Sequence, residues 1–204
     1  MICSVFLVCI IGRASGSFDY SGRATLEDVV SFFNTDERIA VFQRSYSRTI
    51  EGHDPVCIYN TKMSLTNTTL SLQQHYYLYY DTYTPPIKGD DTIYWRINGT
   101  GYFVYMNLSK EPGMDVSPVL LAWKYQDESN TRKYYFDYYD PLDKCAVITF
   151  SDDPCSLKCE LLVWERYIWS SKVNCDREYE YYCGKSTCYR LYDKFPCPGI
   201  PKRP

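Results

Sequence analysis

The sequence has little of what enzymes and nucleic-acid-binding proteins normally use. It contains only two histidines, His53 and His75, in 204 residues. No GxSxG, HExxH or comparable motif marks a nucleophile or a metal site. There is no glycine-rich phosphate loop and no stripe of basic residues, and the formal net charge is -3. We therefore expect no enzymatic activity, no cofactor and no nucleic-acid partner.

Long apolar runs are also scarce. The most apolar stretch, residues 1–11, is too short to span a bilayer, so no membrane span is expected. The small residues ASG follow at 14–16 and resemble a signal-peptidase cleavage site, although no positive charge precedes the apolar run. We predict a signal peptide over residues 1–16, a single domain over 17–204, and secretion to the extracellular space.

Cysteine, by contrast, is plentiful. Two of the ten cysteines lie in the predicted signal peptide, and the other eight can form four disulfides in an exported chain. Their spacing allows many pairings and lacks the C-x2-C pairs of a zinc site, so no metal is expected. Three glycosylation sequons, at Asn67, Asn98 and Asn107, also fit export. The eight cysteines are Cys57, Cys145, Cys155, Cys159, Cys175, Cys183, Cys188 and Cys197.

The abundance of aromatic residues favours β-structure. They make up 17% of the chain, and 22 residues are tyrosine. Helices are predicted at 25–35, where Thr25 and Asp28 resemble a capping box, and at 170–186. We predict a mainly β protein, an eight-stranded antiparallel barrel with a short N-terminal helix and a C-terminal helix packed outside. A β-sandwich without a cavity is the alternative. The predicted strands are 38–47, 56–64, 69–81, 92–107, 118–126, 132–139, 145–150 and 159–167, and the tail could add a short one.

The strand at 132–139 raises the main functional question. Alternation places Tyr135 and Asp137 on one face and Tyr134 and Phe136 on the other. Glu160, on the strand at 159–167, is a second candidate acid. If both carboxylates face an aromatic-lined cavity, they would suit a small cation such as an ammonium group. If they face outwards, they only keep the strands soluble.

Several segments together resemble the tick salivary lipocalins, the family that includes the histamine-binding proteins. These segments are RSY (44–46), DPVC (54–57), FDYYDPLDKCAVITF (136–150), CELLVW (159–164), VNC (173–175) and the final Cys197. The resemblance covers nearly the whole chain after the signal peptide and implies a lipocalin-type barrel. It implies the disulfides Cys57–Cys197 and Cys145–Cys175. For the other four cysteines, we favour Cys159–Cys183 and Cys155–Cys188 over two local loops.

The resemblance also implies a ligand, a host biogenic amine such as histamine or serotonin, whose capture would dampen host inflammatory and defence responses. The family's amine binders carry an acid directly after the cysteine that opens a later strand. Ala146 stands at that position here, and its lack of a carboxylate weakens the amine hypothesis. The predicted site has the ammonium between Asp137 and Glu160, with the ligand ring among Tyr46, Trp123, Tyr125 and Tyr135.

Two other ligand classes stay open. The first is an apolar ligand, such as a fatty acid, an eicosanoid or a sterol. A carboxylate head group would need a cationic partner, and Arg44, Arg48 or Arg96 could serve. The second is a host immune protein bound on the outer surface, with contacts from loops such as 84–91 or 109–116. In each case we expect the protein itself to be a monomer.

Overall fold

The computed structural model describes residues 23–81, 95–111, 116–153, 156–184, 188–192 and 197–200. The predicted signal peptide, the loop at 84–91 and Cys155 lie outside these residues, as does the middle of the loop at 109–116. Within them, helix α1 covers Leu26–Phe33, helix α2 covers Val173–Cys183, and a 3-10 turn covers Glu165–Tyr167. The described strands are β1 (Ile39–Arg44), β2 (Val56–Leu65), β3 (Thr69–Asp81), β4 (Trp95–Ser109), β5 (Val119–Lys124), β6 (Asp127–Asp140), β7 (Cys145–Ser151), β8 (Leu157–Trp164) and β9 (Tyr189–Arg190).

Strands β1 to β8 form a closed antiparallel barrel. Strands β2 to β8 follow one another around the barrel in chain order, and β8 then pairs with β1. Strand β1 closes the ring by pairing with β2 at Ile39 and Asn60. The short β9 pairs with the far end of β1, where Gln43 lies opposite Arg190. This closure confirms the predicted eight-stranded antiparallel barrel and excludes the sandwich.

Helix α1 closes one end of the barrel. The Thr25 side chain accepts a hydrogen bond from the Asp28 amide at 3.1 Å, and the Asp28 carboxylate accepts one from the Thr25 amide at 2.8 Å. This is the predicted capping box. The Phe32 ring lies 5.7 Å from that of Phe136 on β6, and Trp164 Nε1 donates to the Phe32 carbonyl at 3.0 Å. The apolar face of a short amphipathic helix thus fills the barrel end.

Helix α2 packs on the outside of β7 and β8 and is held there by two disulfides. Three of the four predicted disulfides are present among the described residues. Two of them hold α2, and Cys57–Cys197 joins the C-terminal segment to β2. The fourth, Cys155–Cys188, stays a prediction because Cys155 lies outside those residues. In the part of the chain described, neither helix has the length and apolarity needed to cross a bilayer. The three disulfides are Cys145–Cys175, Cys159–Cys183 and Cys57–Cys197.

Strand β6 begins five residues earlier than predicted, at Asp127 instead of 132. The predicted break between the strands at 118–126 and 132–139 is in fact a turn of only Tyr125 and Gln126. Gln126 adopts a left-handed conformation with φ of 64°, which lets a two-residue connection reverse the chain. The polar residues 127–130 form the first part of β6 at the exposed end of the hairpin. Asp127 and Asn130 there also line the cavity.

Candidate functional site

The barrel encloses a cavity of about 370 Å³, a size typical of small-molecule sites. The end of the cavity next to α1 is apolar, because Phe33 from the helix joins aliphatic side chains from the strands. Each of these strand residues lies on the half of its strand nearer α1. The apolar end therefore suits a hydrocarbon or an aromatic group. Its lining includes Phe33, Leu72, Met106, Leu120 and Leu162.

The opposite end of the cavity is charged, with four basic side chains against three carboxylates. Asp152 neutralises part of this charge, since it pairs with Arg132 at 3.2 Å and also contacts Lys158. Among the described residues, Arg48 and Lys124 form no such ion pair, although Asp127 attracts Lys124 and Glu160 attracts Arg48 at longer range. The charged lining residues are Arg48, Lys124, Arg132 and Lys158 with Asp127, Asp152 and Glu160.

Arg48 and Lys124 converge on the same tyrosine. Arg48 Nη2 lies 3.4 Å from the Tyr102 hydroxyl oxygen, and Lys124 Nζ lies 4.5 Å from the centre of the Tyr102 ring. Within the described chain, neither forms an ion pair with a carboxylate. Burial lowers the pKa of the Lys124 ammonium, and the positive charge of Arg48 lowers it further. The two cations therefore repel each other across the cavity wall.

Glu160 forms a partly buried pair with Tyr46. The Tyr46 hydroxyl donates a hydrogen bond to Glu160 Oε1, and the Tyr46 ring packs edge-on against Phe150 at 5.2 Å. Burial raises the pKa of the Glu160 carboxyl above its usual range, although the Tyr46 hydrogen bond and the charges of Arg48 and neighbouring arginines oppose this. Burial and the nearby Glu160 charge also raise the pKa of Tyr46. Tyr46 and Glu160 are thus the two predicted residues that the fold brings together at the cavity.

Arg44 adds a third cation beside Glu160. It lies directly opposite Glu160 in the β1–β8 pair, and its side chain is only 1% exposed. Its guanidinium carbon lies 5.5 Å from the centre of the Tyr46 ring, and its closest carboxylate contact is Asp54 at 3.9 Å. Among the described residues, its Nε and Nη1 atoms have no hydrogen-bond partner. The surroundings of Glu160 are therefore rich in positive charge.

Asp137 lies on the outer face of the barrel and does not share the cavity with Glu160. Its carboxylate accepts hydrogen bonds from the hydroxyls of Ser117 and Thr149, both at 2.6 Å. Thr149 stands between Ile148 and Phe150, which both line the cavity, so Thr149 points outwards. The expected pair of inward-facing carboxylates is therefore not formed.

The other aromatic candidates are also placed mainly outside. Tyr135 shares the outer face with Asp137, and Lys133 Nζ lies 5.0 Å from its ring centre. Trp123 borders the cavity at a bulge in β5, but its ring stacks on that of Tyr105 at 6.3 Å. Tyr125 lies in the β5–β6 turn and is 59% exposed. Of the four predicted aromatics, Tyr46 and Trp123 thus border the cavity and Tyr125 and Tyr135 do not, while Tyr102, Tyr134 and Phe150 line it without having been predicted.

Sequence reasoning named Arg48 as a possible partner of an acidic head group, but it overlooked the other basic residues of the cavity, Lys124, Arg132 and Lys158. A usable signal was present in β6, because Arg132 shares a strand face with Tyr134 and faces away from Asp137. If Tyr134 and Arg132 had been assigned to the face of β6 that lines the cavity, the sequence would have predicted a basic cavity wall. Lys124 and Lys158 stand near the ends of strands, where a basic residue is ordinarily solvent-exposed, so no comparable signal was present for them.

Two of the three sequons lie in exposed positions. Asn67 is in the turn between β2 and β3, and Asn107 is on β4. The side chain of Asn98 is not among those described, and occupancy of all three sequons stays a prediction. The described residues contain no cluster of three His, Cys, Asp or Glu side chains that could hold a metal ion.

A closed eight-stranded antiparallel barrel with an internal cavity, one helix across an end and another packed outside has the lipocalin fold, as predicted. No protein-family model matches the sequence, and no curated protein is significantly similar to it. Among solved structures, the chain is similar to Japanin from Rhipicephalus appendiculatus bound to cholesterol. The identity is 13%, the TM-score is 0.47, and the match covers 76% of this chain and 91% of that one. The choice of ligand therefore rests on this chain's own residues.

Proposed function

We propose that the protein is a secreted lipocalin that binds a small amphiphilic ligand with an acidic head group, such as a fatty acid or an eicosanoid. The observation that carries this proposal is the convergence of Arg48 and Lys124 on Tyr102, without a carboxylate partner in the described chain. An anionic head group between them would relieve their repulsion. The hydrocarbon part would extend towards α1, where Phe33 and Leu120 line the cavity.

The charge around Glu160 supports the same assignment. A carboxyl group whose pKa is raised by burial is more readily neutral, and a neutral Glu160 does not repel an acidic ligand. Arg44 and Arg132 contribute positive charge from neighbouring strands. Each hydrogen bond between a charged donor and a ligand carboxylate contributes about 1.5–3 kcal/mol, which is roughly tenfold to a hundredfold in affinity.

A biogenic amine is the second candidate, and the Glu160–Tyr46 pair is the observation that favours it. An ionised Glu160 could accept a hydrogen bond from an ammonium group, and the Tyr46 ring could face the cation. Asp137 lies outside the cavity, however, and Arg48 and Lys124 line it. An ammonium would therefore meet four basic side chains against three carboxylates, of which Asp152 is already paired with Arg132 and Lys158, and this makes amine sequestration the weaker proposal.

The test is a calorimetric titration of the secreted, oxidised protein with arachidonic acid, its methyl ester, histamine and serotonin. We expect the acid to bind about tenfold to a hundredfold more tightly than the ester, because only the acid carries a charge. Arg48→Gln should remove about tenfold of this preference. Arg166→Gln is the matched control, because Arg166 is 79% exposed and pairs with Glu37 outside the cavity.

The two candidates respond oppositely to Glu160→Gln. Binding of an acidic lipid should be unchanged or tighter, because the variant removes a carboxylate from the cavity. Binding of an amine should fall by at least about tenfold. Equal affinity for the acid and its ester, with no effect of Arg48→Gln, would exclude the acidic-lipid proposal. Serotonin binding that is lost in Glu160→Gln would establish the amine instead.

A further inference from the structure

The outer surface of β4 and β5 carries an exposed cluster of large apolar side chains, here called the outer aromatic face. It comprises Phe103, Tyr105, Leu121, Trp123 and Tyr125. Phe103 is 39% exposed, Leu121 37% and Tyr125 59%. Tyr105 packs against both Trp123 and Tyr125, with ring centres 6.3 Å and 6.1 Å apart. A contiguous apolar surface of this kind is usually covered by a partner.

A glycosylation sequon lies on this same face. Asn107 is flanked by Met106, which lines the cavity, and by the buried Leu108, so the Asn107 side chain points outwards. It is exposed, and it stands directly opposite Leu121 in the β4–β5 pair. Ser109 completes the sequon at the end of β4. The attachment point for a glycan is therefore next to the outer aromatic face.

Strand geometry puts two aromatic rings within reach of the first sugar. Tyr105 is two residues before Asn107 on the same face, about 7 Å along the strand. Trp123 is the diagonal neighbour of Asn107, because Tyr105 is the residue directly opposite it. The apolar C–H face of a pyranose ring can pack on an aromatic ring, as other apolar groups do. A sugar on Asn107 could thus cover both rings.

We propose that Asn107 carries an N-linked glycan and that its first N-acetylglucosamine packs on Tyr105 and Trp123, so that the glycan covers the outer aromatic face. The co-reactant is a lipid-pyrophosphate-linked oligosaccharide of the secretory pathway. The Asn107 amide nitrogen forms a bond to the anomeric carbon and loses a proton, while the carbon–oxygen bond to the pyrophosphate breaks and the pyrophosphate leaves with the electron pair. The inference depends on the export proposed above but not on the ligand.

The first measurement is the occupancy of Asn107 in protein secreted from insect cells, read by mass spectrometry. The glycans are then trimmed enzymatically to a single N-acetylglucosamine, and its contacts are read from nuclear Overhauser effects between sugar protons and aromatic ring protons. We expect contacts with Tyr105 and Trp123. An unoccupied Asn107, or a sugar without contacts to either ring, would overturn the proposal and leave the face to another partner such as a host protein.

Thermal unfolding supplies the second measurement. Ser109→Ala removes the sequon and keeps Asn107, and we expect it to lower the Tm of the trimmed protein by about 2–4 °C. In a Tyr105→Ala background, the same change should have a clearly smaller effect, because only Trp123 is left to contact the sugar. Asn67→Gln is the matched control, because it removes the sequon in the β2–β3 turn at an exposed residue and keeps the hydrogen bond between the Thr66 and Thr69 hydroxyls. An equal effect of Ser109→Ala with and without Tyr105 would contradict the packing. The affinity for lipid should be unchanged in Ser109→Ala, so the ligand proposal and the glycan proposal can fail independently of each other.

Discussion

Replacing Asp137 by alanine tests which face of β6 lines the cavity. In the structure, Asp137 is 6% exposed and accepts hydrogen bonds from Ser117 and Thr149 at 2.6 Å. Hydrogen bonds to a charged acceptor each contribute about 1.5–3 kcal/mol, and the freed hydroxyls recover part of this by rotating. We expect Asp137→Ala to cost about 3 kcal/mol of the free energy of unfolding. For a chain of this size, this lowers the Tm by about 6–12 °C.

The assay combines chemical denaturation with ligand titration. Thr149→Val removes one of the donors, so the double variant Asp137→Ala with Thr149→Val should be less destabilised than the sum of the two single variants, by about 1–2 kcal/mol. Affinity for the ligand should be unchanged in each variant that folds. Full stability of Asp137→Ala, together with loss of ligand binding, would refute the outward placement and restore Asp137 as a binding residue.

Three further predictions concern stability. Because burial raises the pKa of Glu160, its contribution to stability is fully present below about pH 4.5 and is lost as the pH rises towards the raised value. The Tm of the wild type should therefore fall relative to that of Glu160→Gln between pH 4.5 and neutral pH, and parallel pH profiles in calorimetry would contradict this. Removing Cys145–Cys175 by serine substitution should cost about 3–4 kcal/mol in urea denaturation, since the bridge closes a separation of 30 residues; an unchanged midpoint would count against it. Phe136→Ala should cost about 3–5 kcal/mol, because the ring is fully buried against α1, and a loss below about 1 kcal/mol would show that the barrel end collapses around it.

Much of the fold was predictable because its signals are local. Alternation and turn residues placed the strands, and the capping box of Thr25 and Asp28 placed the start of α1. The ends of β6 were less predictable, because the left-handed conformation of Gln126 permits a two-residue turn that composition does not reveal. Two disulfide pairings agree with those implied by the family resemblance, and Cys159–Cys183 agrees with the pairing favoured for the remaining cysteines, whereas spacing alone left all of them open.

The sequence alone determined which side chains share a face. On β6 it separated Tyr134 and Phe136 from Tyr135 and Asp137, because a strand alternates with a period of two. It could not determine which set faces the cavity, since both faces of this strand are rich in tyrosine and both are largely buried. The tertiary structure decided that choice, since hydrogen bonds to Ser117 and Thr149 hold Asp137 on the outer face.

The same reason explains why the candidate site was only half predicted. Tyr46, Glu160 and Arg48 were identified from single positions, but the cationic end of the cavity as a whole is assembled from residues far apart in the chain. Arg48 follows β1, Tyr102 lies on β4 and Lys124 ends β5, and each alone resembles an ordinary surface residue. Their proximity depends on barrel closure, which brings together strands whose register the sequence pattern does not specify. The sequence thus determined the faces of the strands, and only the closed barrel determined the charge of its interior.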